Sequence, residues 1–526
     1  MQIGKSDRMR EKECIRKSDR MRDNDRFREN SCMREKNQSL LEKLKKYGES
    51  DFYPFHMPGH KRREIDDDFF DGFPNPYSID ITEIEGFDNL HHAEGILKKS
   101  MEEAADIYGA DKTYYLVNGS TCGLLAAICG CTDWNGKILL ARNCHKAAYH
   151  ALLLNGLQPE YLYPEFIKEY GINGVIDPER VRIALEENKS SNGAKITSVL
   201  VVSPTYEGVV SDISKISGYC HEYGIPLIVD EAHGAHLPFA KKEGGFPQSA
   251  LECGADVVIQ SLHKTLPSFT QTAILHVKGD LADREKIERY LGMFQSSSPS
   301  YLFMAAIERC IRYMDGPGRI KMWEYEKRMK AFFEATAALR VLKIPDHQAL
   351  QALGAYDWDM SKIIISADHA KDLNGEQLGE LLRNKYHLEM EMCAPGYVIA
   401  MTSLMDTEDG LLRLQKAVLE IDQSLSEDDT VNSIKKPDTE LPKADAKMTP
   451  SEAFQKKKIK TALRESDGRI STEFVYLYPP GIPILAPGER ITGEILKQIF
   501  WYEESGFEVQ GLSDMSLSTI LTVADE

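Results

Sequence analysis

The chain has 526 residues, 42% of them hydrophobic and 28% charged, and its formal net charge is −18. This composition is typical of a globular protein, the length predicts two or three domains, and the negative charge argues against broad nucleic-acid binding. The sequence contains no run of about 18 apolar residues and no signal-peptide core, so we expect neither membrane insertion nor secretion.

The ten cysteines are scattered without a Cys-x-x-Cys pair, and only Cys129 and Cys131 lie close together. This pattern favours neither a metal site nor a disulfide framework. We therefore expect a cytoplasmic protein without a bound metal.

The first 38 residues lean basic and repeat a six-residue motif, since residues 5–10 recur as residues 17–22. With almost no apolar face, this extension is predicted to be disordered. Two alternatives remain open: a basic arm that contacts RNA or an acidic partner, or translation that begins at Met33, so that residues 1–32 do not belong to the native protein.

The N-terminal segment 39–75 should contain a short amphipathic helix over residues 40–47. A Pro-Gly-His-Lys turn follows at residues 58–61, where Gly59 supplies backbone freedom. Residues 76–310 alternate helical stretches with short apolar runs, which indicates βα units on a mainly parallel sheet. We expect this region to be the large, cofactor-binding domain.

Residues 311–422 should contain connecting helices and a smaller α/β domain with strands at 362–367, 388–392 and 397–401. A polar linker is predicted over residues 423–450, and a C-terminal region over residues 451–526. Four prolines and two glycines in residues 478–489 predict a rigid loop.

A lysine and a carboxylate follow two of the apolar runs. Asp230 comes after the run at residues 225–229, and Lys264 comes soon after the run at residues 255–259. Both runs are short enough to be buried parallel strands, and ligands of such sheets bind at the carboxyl ends of the strands. A pyridoxal 5'-phosphate (PLP) enzyme needs a lysine for a Schiff base and a carboxylate beside the ring nitrogen. Each residue alone is more often a solvated surface group, but the neighbouring His233, His263 and Ser261 favour a PLP site.

These residues belong to a wider set of segments in which the chain resembles the Orn/Lys/Arg decarboxylase family of PLP fold type I, in its short bacterial form. The likeness keeps its order from about residue 40 to about residue 490. It is carried by residues 55–61, 118–121, 142–146, 204–206, 230–236, 261–264 and 478–489.

The resemblance implies an aspartate aminotransferase-like α/β large domain and a smaller C-terminal α/β domain. It also implies roles for single residues, in which Lys264 binds PLP covalently, Asp230 pairs with its ring nitrogen, and His145 stacks on the ring. His233 would lie near the ring. The implied phosphate ligands are Ser120, Thr121, Ser261 and His263.

Ser297 matches a hydroxyl that family members donate to the phosphate of a partner subunit, although a Thr is commoner there. A ligand shared in this way would require at least a homodimer. We therefore expect a homodimer or a higher homo-oligomer.

The family likeness predicts decarboxylation of a basic amino acid, with arginine favoured over lysine and ornithine, for polyamine metabolism. Two rivals stay open, a PLP aminotransferase or lyase and a catalytically silent regulatory relative. An aminotransferase would usually hold the substrate carboxylate with an arginine, and Arg142 is one candidate. The carboxylate that would bind the substrate side chain is left open among Glu83, Glu85, Asp88, Glu389, Glu391 and Glu489.

Overall fold

The computed structural model describes residues 49–61, 79–190, 193–241, 244–371, 373–425, 440–478 and 480–524, and the fold belongs to the unit Tyr53–Glu526. The predicted extension 1–38, the predicted helix 40–47 and residues 426–439 of the predicted linker lie outside the described residues.

The strands follow in chain order as β1 (Tyr53–Phe55), β2 (Lys112–Leu116), β3 (Lys137–Ala141), β4 (Gln158–Leu162), β5 (Phe166–Ile167), β6 (Ile172–Asn173), β7 (Ile196–Val202), β8 (Val209–Val210), β9 (Leu227–Asp230), β10 (Val257–Ser261), β11 (Ala273–Val277), β12 (Asp357–Trp358), β13 (Lys362–Ser366), β14 (Leu388–Met390), β15 (Met392–Cys393), β16 (Tyr397–Met401), β17 (Lys458–Ala462), β18 (Val475–Leu477), β19 (Pro483–Leu485), β20 (Val509–Gln510) and β21 (Thr519–Val523).

The α-helices are α1 (Ile96–Tyr108), α2 (Gly119–Cys131), α3 (Lys146–Asn155), α4 (Pro178–Ser190), α5 (Ile213–Glu222), α6 (Leu262–Thr265), α7 (Arg284–Phe294), α8 (Tyr301–Asp315), α9 (Pro317–Thr336), α10 (His347–Ala352), α11 (Gly375–Tyr386), α12 (Glu408–Ser424), α13 (Pro450–Gln455) and α14 (Gly493–Glu504). Short 3-10 turns form at Leu90–His92, Leu237–Phe239 and Leu463–Glu465.

Seven strands form a central sheet in the order β2-β11-β10-β9-β7-β3-β4. Six of these strands run in the same direction, and β11 runs opposite to them. The inner strands β9 and β10 are buried along their whole length, as expected where helices cover both faces of a parallel sheet. The predicted α/β fold with a mainly parallel sheet is confirmed. The strand predicted at 397–401 has those bounds, and the other predicted strand bounds lie within two residues of the observed ones.

Close packing beneath the sheet depends on small residues in α2, which is rich in Gly, Ala and Cys. A Cβ atom at Gly130 would lie 2.5 Å from the side chain of Ile287 on α7, so the two helices approach each other at a position that only glycine allows. This contact fixes α2, whose first turn borders the site.

Beyond the large sheet, β13, β16 and β15 form a three-stranded antiparallel sheet, and β19, β18 and β20 form another. The second of these contributes to a separate hydrophobic cluster that extends from Leu463 to Ile520. A separate core supports the proposal that residues 451–526 are a distinct C-terminal region. Throughout the described ranges, no helix combines the length and the apolar character that crossing a membrane requires.

Candidate active site

A cavity of about 470 Å³ lies at the carboxyl ends of the central strands. Eight of the nine residues predicted from sequence to form the site line this cavity. They are Ser120, Thr121, His145, Asp230, His233, Ser261, His263 and Lys264.

Asp230 and Lys264 reach the cavity from neighbouring strands, as the sequence predicted. Asp230 is the last residue of β9 and 7% exposed, while Lys264 lies on α6, which begins directly after β10. Burial raises the pKa of Asp230, and the Lys264 ammonium opposes that shift. Burial likewise lowers the pKa of Lys264, and Asp230 opposes this change. The two groups therefore stabilise each other's charged form in a place that disfavours charge.

His233 links the lysine to the wall of the cavity. Its Nε2 lies 3.0 Å from Nζ of Lys264, and its ring packs against Tyr206 with 4.7 Å between the ring centroids. Burial, and then the charge of Lys264, hold the pKa of His233 well below its usual value, so the imidazole is neutral. Its buried Nδ1 has no hydrogen-bond partner in the described part of the chain.

The first turn of α2 brings Ser120 and Thr121 to the cavity. Gly119, at φ 72°, makes the left-handed turn that starts this helix, whose N-terminal amides favour an anion. Opposite, the hydroxyl of Ser261 is buried and lacks a hydrogen-bond partner among the described residues. His263 donates through Nδ1 to the carbonyl of Thr272 at 2.9 Å, and burial lowers its pKa to about 4. The amides of α2 and the hydroxyls of Ser120, Thr121 and Ser261 match the needs of a phosphate group, and His263 would join them as a donor once its Nε2 is protonated.

His145 caps the N-terminus of α3, where its Nδ1 accepts a hydrogen bond from the amide of Ala147 at 3.2 Å. The neutral ring therefore carries its proton on Nε2. Burial, followed by the charge of Lys264, lowers the pKa of His145 to about 3. The next amide, of Lys146, donates to the carbonyl of Gly481 at 2.9 Å. This bond holds the C-terminal loop against the cavity, which that loop lines through Tyr478, Pro480 and Ile482.

Among the six carboxylates left open for the substrate side chain, Glu391 lines the cavity. Its Oε1 accepts from the Tyr206 hydroxyl at 2.5 Å, and its Oε2 accepts from the amide of Met57 at 2.9 Å. Asp88 instead caps backbone amides, including that of Gly95 at 2.7 Å. Three more of the six also lie outside the cavity lining, since Glu389 pairs with Arg383 at 3.2 Å, and Glu83 and Glu85 are exposed. The sixth candidate pairs with Arg142.

Arg142 and Glu489 form a buried ion pair beside the cavity, with 3.1 Å between Nη2 and Oε2. Their side chains are 0% and 2% exposed, and Arg142 also donates to Tyr149 and to the carbonyl of Ile484. The pair therefore connects β3 to the C-terminal loop. Neither residue lines the cavity, so neither is placed to contact a substrate bound there.

Ser297 lies on the exposed segment between α7 and α8 and is not part of the cavity lining in its own chain. Its predicted role concerns a partner subunit, so the dimer and the role of Ser297 stay predictions.

Sequence reasoning missed Glu207, which also lines the cavity and directly follows the matched segment 204–206. It missed Lys362 as well, a fully buried residue whose Nζ bonds to Asp359 at 2.9 Å and lies 3.4 Å from the carbonyl of His233. The position of Glu207 beside a recognised motif was the available signal. Lys362 gave none, because the site residue that it approaches, His233, is 129 positions away in the chain.

The Pro-Gly-His-Lys turn connects the lysine helix to the smaller domain. The amide of Gly59 donates to the carbonyl of His263 at 2.7 Å, and the Ser403 hydroxyl donates to the carbonyl of Gly59 at 2.6 Å. A Cβ atom at Gly59 would lie 2.8 Å from the backbone of Leu266, so a side chain does not fit there. The Lys61 ammonium bonds to the carbonyl of Met401 at 2.6 Å.

The fold and this site define a PLP fold type I enzyme. Among solved structures, lysine decarboxylase A from Pseudomonas aeruginosa matches with a TM-score of 0.71 over 84% of this chain and 73% of its own, at 20% identity. The lysine decarboxylase LdcF from Francisella novicida matches with a TM-score of 0.69, at 21% identity, over 83% of this chain and 73% of its own.

The sequence matches the family model "Orn/Lys/Arg decarboxylase, major domain" over residues 38–343, and the model of the C-terminal domain over residues 435–512. The chain belongs to this family. It is 33% identical to an arginine decarboxylase from Bacillus subtilis, over 92% of this chain and 97% of that protein. It is 31% identical to one from Bacillus anthracis, over 90% and 94%.

These findings confirm the predicted family and the predicted enzyme class, an amino-acid decarboxylase that acts on a basic amino acid. Membership of the family and the fold together imply the use of PLP.

Proposed function

We propose that this protein binds PLP and decarboxylates arginine to agmatine, as a step in polyamine metabolism. The observation that carries the proposal is the single cavity at the ends of β9 and β10, which contains the Asp230–Lys264 pair and the phosphate-type donors together. The preference for arginine rests on relatives, since those named arginine decarboxylase are 30–33% identical to the chain and those named lysine decarboxylase are 24–28% identical.

The residues present fit the cofactor. Lys264 would attach it, Asp230 would face its ring nitrogen, and His145 would stack on its ring. The first turn of α2, with Ser120 and Thr121, would bind the phosphate together with Ser261 and His263. The unpartnered buried hydroxyl of Ser261 supports this assignment, because a buried donor without an acceptor costs about 1–3 kcal/mol.

When bound, PLP supplies the electron sink that accepts the electron pair left behind by the departing carboxylate. The chain contributes the proton that must replace this carboxylate on the α-carbon. Because Nζ of Lys264 and Nε2 of His233 share a hydrogen bond, a proton can pass between them, and we assign the pair this role. Tyr206 packs on His233 and keeps the imidazole in place.

The lining of the cavity favours decarboxylation over amino transfer. Of the described residues that line it, none is an arginine, and Arg142 is engaged with Glu489. A guanidinium stabilises the charged carboxylate of a bound substrate, whereas a carboxylate without such a partner departs more readily as carbon dioxide and leaves the electron pair of the Cα–C bond behind.

The test supplies purified, PLP-loaded protein with arginine, lysine and ornithine together and identifies the products by mass spectrometry. Agmatine is the expected product, and protein stripped of PLP and then reloaded serves as the control. Cadaverine or putrescine instead would overturn the choice of arginine. Keto acids, or no turnover by protein with bound PLP, would overturn the decarboxylase.

A further inference from the structure

A second cavity, of about 170 Å³, shares a wall with the first. Both are lined by Glu207, Tyr478, Pro480 and Ile482. One water needs about 10–15 Å³ by a comparable measure, so this side cavity has room for a group of several atoms. It therefore lies where the far end of a substrate could extend.

The carboxyl group of Glu207 is buried in this wall, and the residue is 3% exposed. Its Oε1 accepts a hydrogen bond from the Tyr397 hydroxyl at 3.2 Å, whereas its Oε2 is buried and has no hydrogen-bond partner among the described residues. Such a carboxyl oxygen is costly unless a donor reaches it. Burial raises the pKa of Glu207, and a cation placed beside it would favour the carboxylate.

The rest of the side cavity suits a cation. Two further acids, Asp368 and Glu508, line it, together with the aromatic rings of Tyr170, Tyr397 and Tyr502. Aromatic faces attract guanidinium and ammonium groups. Of the residues described there, none carries a positive charge.

We propose that Glu207 binds the cationic end of the substrate side chain in this cavity and thereby selects basic amino acids. This inference rests on the proposed function, since it names the residue that recognises the substrate in the same site. Of the other two acids that line the main cavity, Asp230 faces Lys264, and Glu391 already accepts one hydrogen bond on each oxygen, from Tyr206 and Met57. Glu207 has an oxygen available for the N–H groups of a guanidinium.

The position of Glu207 is fixed from two sides. Its backbone carbonyl accepts a hydrogen bond from the indole of Trp358 at 3.0 Å, and its side chain accepts one from Tyr397. Tyr397 is therefore a positioning residue. Because the carboxylate is held in place before a substrate arrives, little ordering cost is left for binding.

The test compares arginine with citrulline, its uncharged analogue of the same shape, and lysine with norleucine. For whichever of these two substrate pairs the enzyme decarboxylates, Glu207→Gln should lower the preference in kcat/KM for the charged member about 10- to 100-fold. This is the range for a charge-assisted hydrogen bond. The change should appear in KM, because a contact made equally in the bound and transition states affects KM alone. Glu207→Asp should recover part of the preference.

Calorimetry with agmatine gives a readout that does not depend on turnover, and Kd should rise about 10- to 100-fold in Glu207→Gln. Glu326→Gln is the matched control, since Glu326 is a buried acid on α9 that bonds to Gly245 and Lys330 away from both cavities. This control should leave both readouts unchanged.

A wild-type preference and a wild-type agmatine Kd in Glu207→Gln, with PLP absorbance intact, would overturn the proposal. If Glu207→Gln does not fold, Glu207→Asp and Tyr397→Phe take its place, and a raised KM at constant kcat is expected for both. Unchanged values in both would also overturn it. If wild-type protein releases no amine, the proposed decarboxylase activity is refuted. The agmatine measurement does not depend on turnover and still decides the role of Glu207.

Discussion

Two buried polar regions lie side by side in this molecule and differ in what their charges contact. At the Arg142–Glu489 pair, the opposite charges lie 3.1 Å apart and contact each other. In the cavity, the Ser261 hydroxyl, Nδ1 of His233 and one oxygen of Glu207 are buried without partners in the described part of the chain. Both regions belong to or adjoin segments matched to the family, so the motifs do not tell them apart. Their surroundings do, because Ser261, His233 and Glu207 line an open cavity. Nε of Arg142 and Oε1 of Glu489 are also buried without described partners, but neither residue lines that cavity.

The comparison predicts that changes in the cavity remove activity and leave stability intact. Lys264→Ala should reduce amine release more than about 10³-fold, because it removes both the attachment point and a proton donor. The free energy of unfolding should change little, since the variant also removes a buried charge that bonds to His233 alone among the contacts described, and Asp230, whose pKa burial raises, can take up a proton. Product assays and denaturant unfolding of the same preparation measure the two effects. Equal losses in both would contradict the distinction between the regions.

The ion pair should give the opposite pattern. Arg142→Met leaves the Glu489 carboxylate buried without its partner, and we expect a loss of about 3–5 kcal/mol in the free energy of unfolding. Urea unfolding measures it. The double variant Arg142→Met, Glu489→Leu should recover much of the loss, because it no longer buries a lone charge. A single variant as stable as the wild type would show that the pair does not act as a structural connection.

The smallest effect is expected at the phosphate end of the cavity. Ser261→Ala should weaken PLP binding about 5- to 10-fold, the usual value of one hydrogen bond, without destabilising the apo protein. The free energy of unfolding of the apo protein should even rise slightly, because the buried hydroxyl that the variant removes has no partner there among the described residues. Fluorescence titration with PLP measures the affinity, and Thr265→Ala, another buried hydroxyl without a described partner, is the control outside the cavity lining. Equal affinity in Ser261→Ala would remove Ser261 from the phosphate ligands.

Sequence reasoning located the main features of the site because they depend on local patterns. The apolar runs before Asp230 and Lys264 indicate buried strands, and parallel neighbours bring their ends together. The contacts it missed join residues far apart in the chain. Arg142 meets Glu489 across 347 positions, and Tyr397 meets Glu207 across 190, so no local pattern predicts either. The sequence left six candidate carboxylates for the substrate side chain, and the fold shows that Glu391 is the one of these six that lines the cavity.

The Gly59 turn has a consequence for the order of events on the ribosome. Residues near the start of the fold bond to the backbone around Lys264, to Met401 and to Ser403, and Lys146 bonds to Gly481. Because synthesis proceeds from the N-terminus, Lys264 is translated long before the C-terminal segments that enclose this lysine. The complete pocket forms only when about nine tenths of the chain is synthesised, so nascent or prematurely ended chains lack the completed pocket.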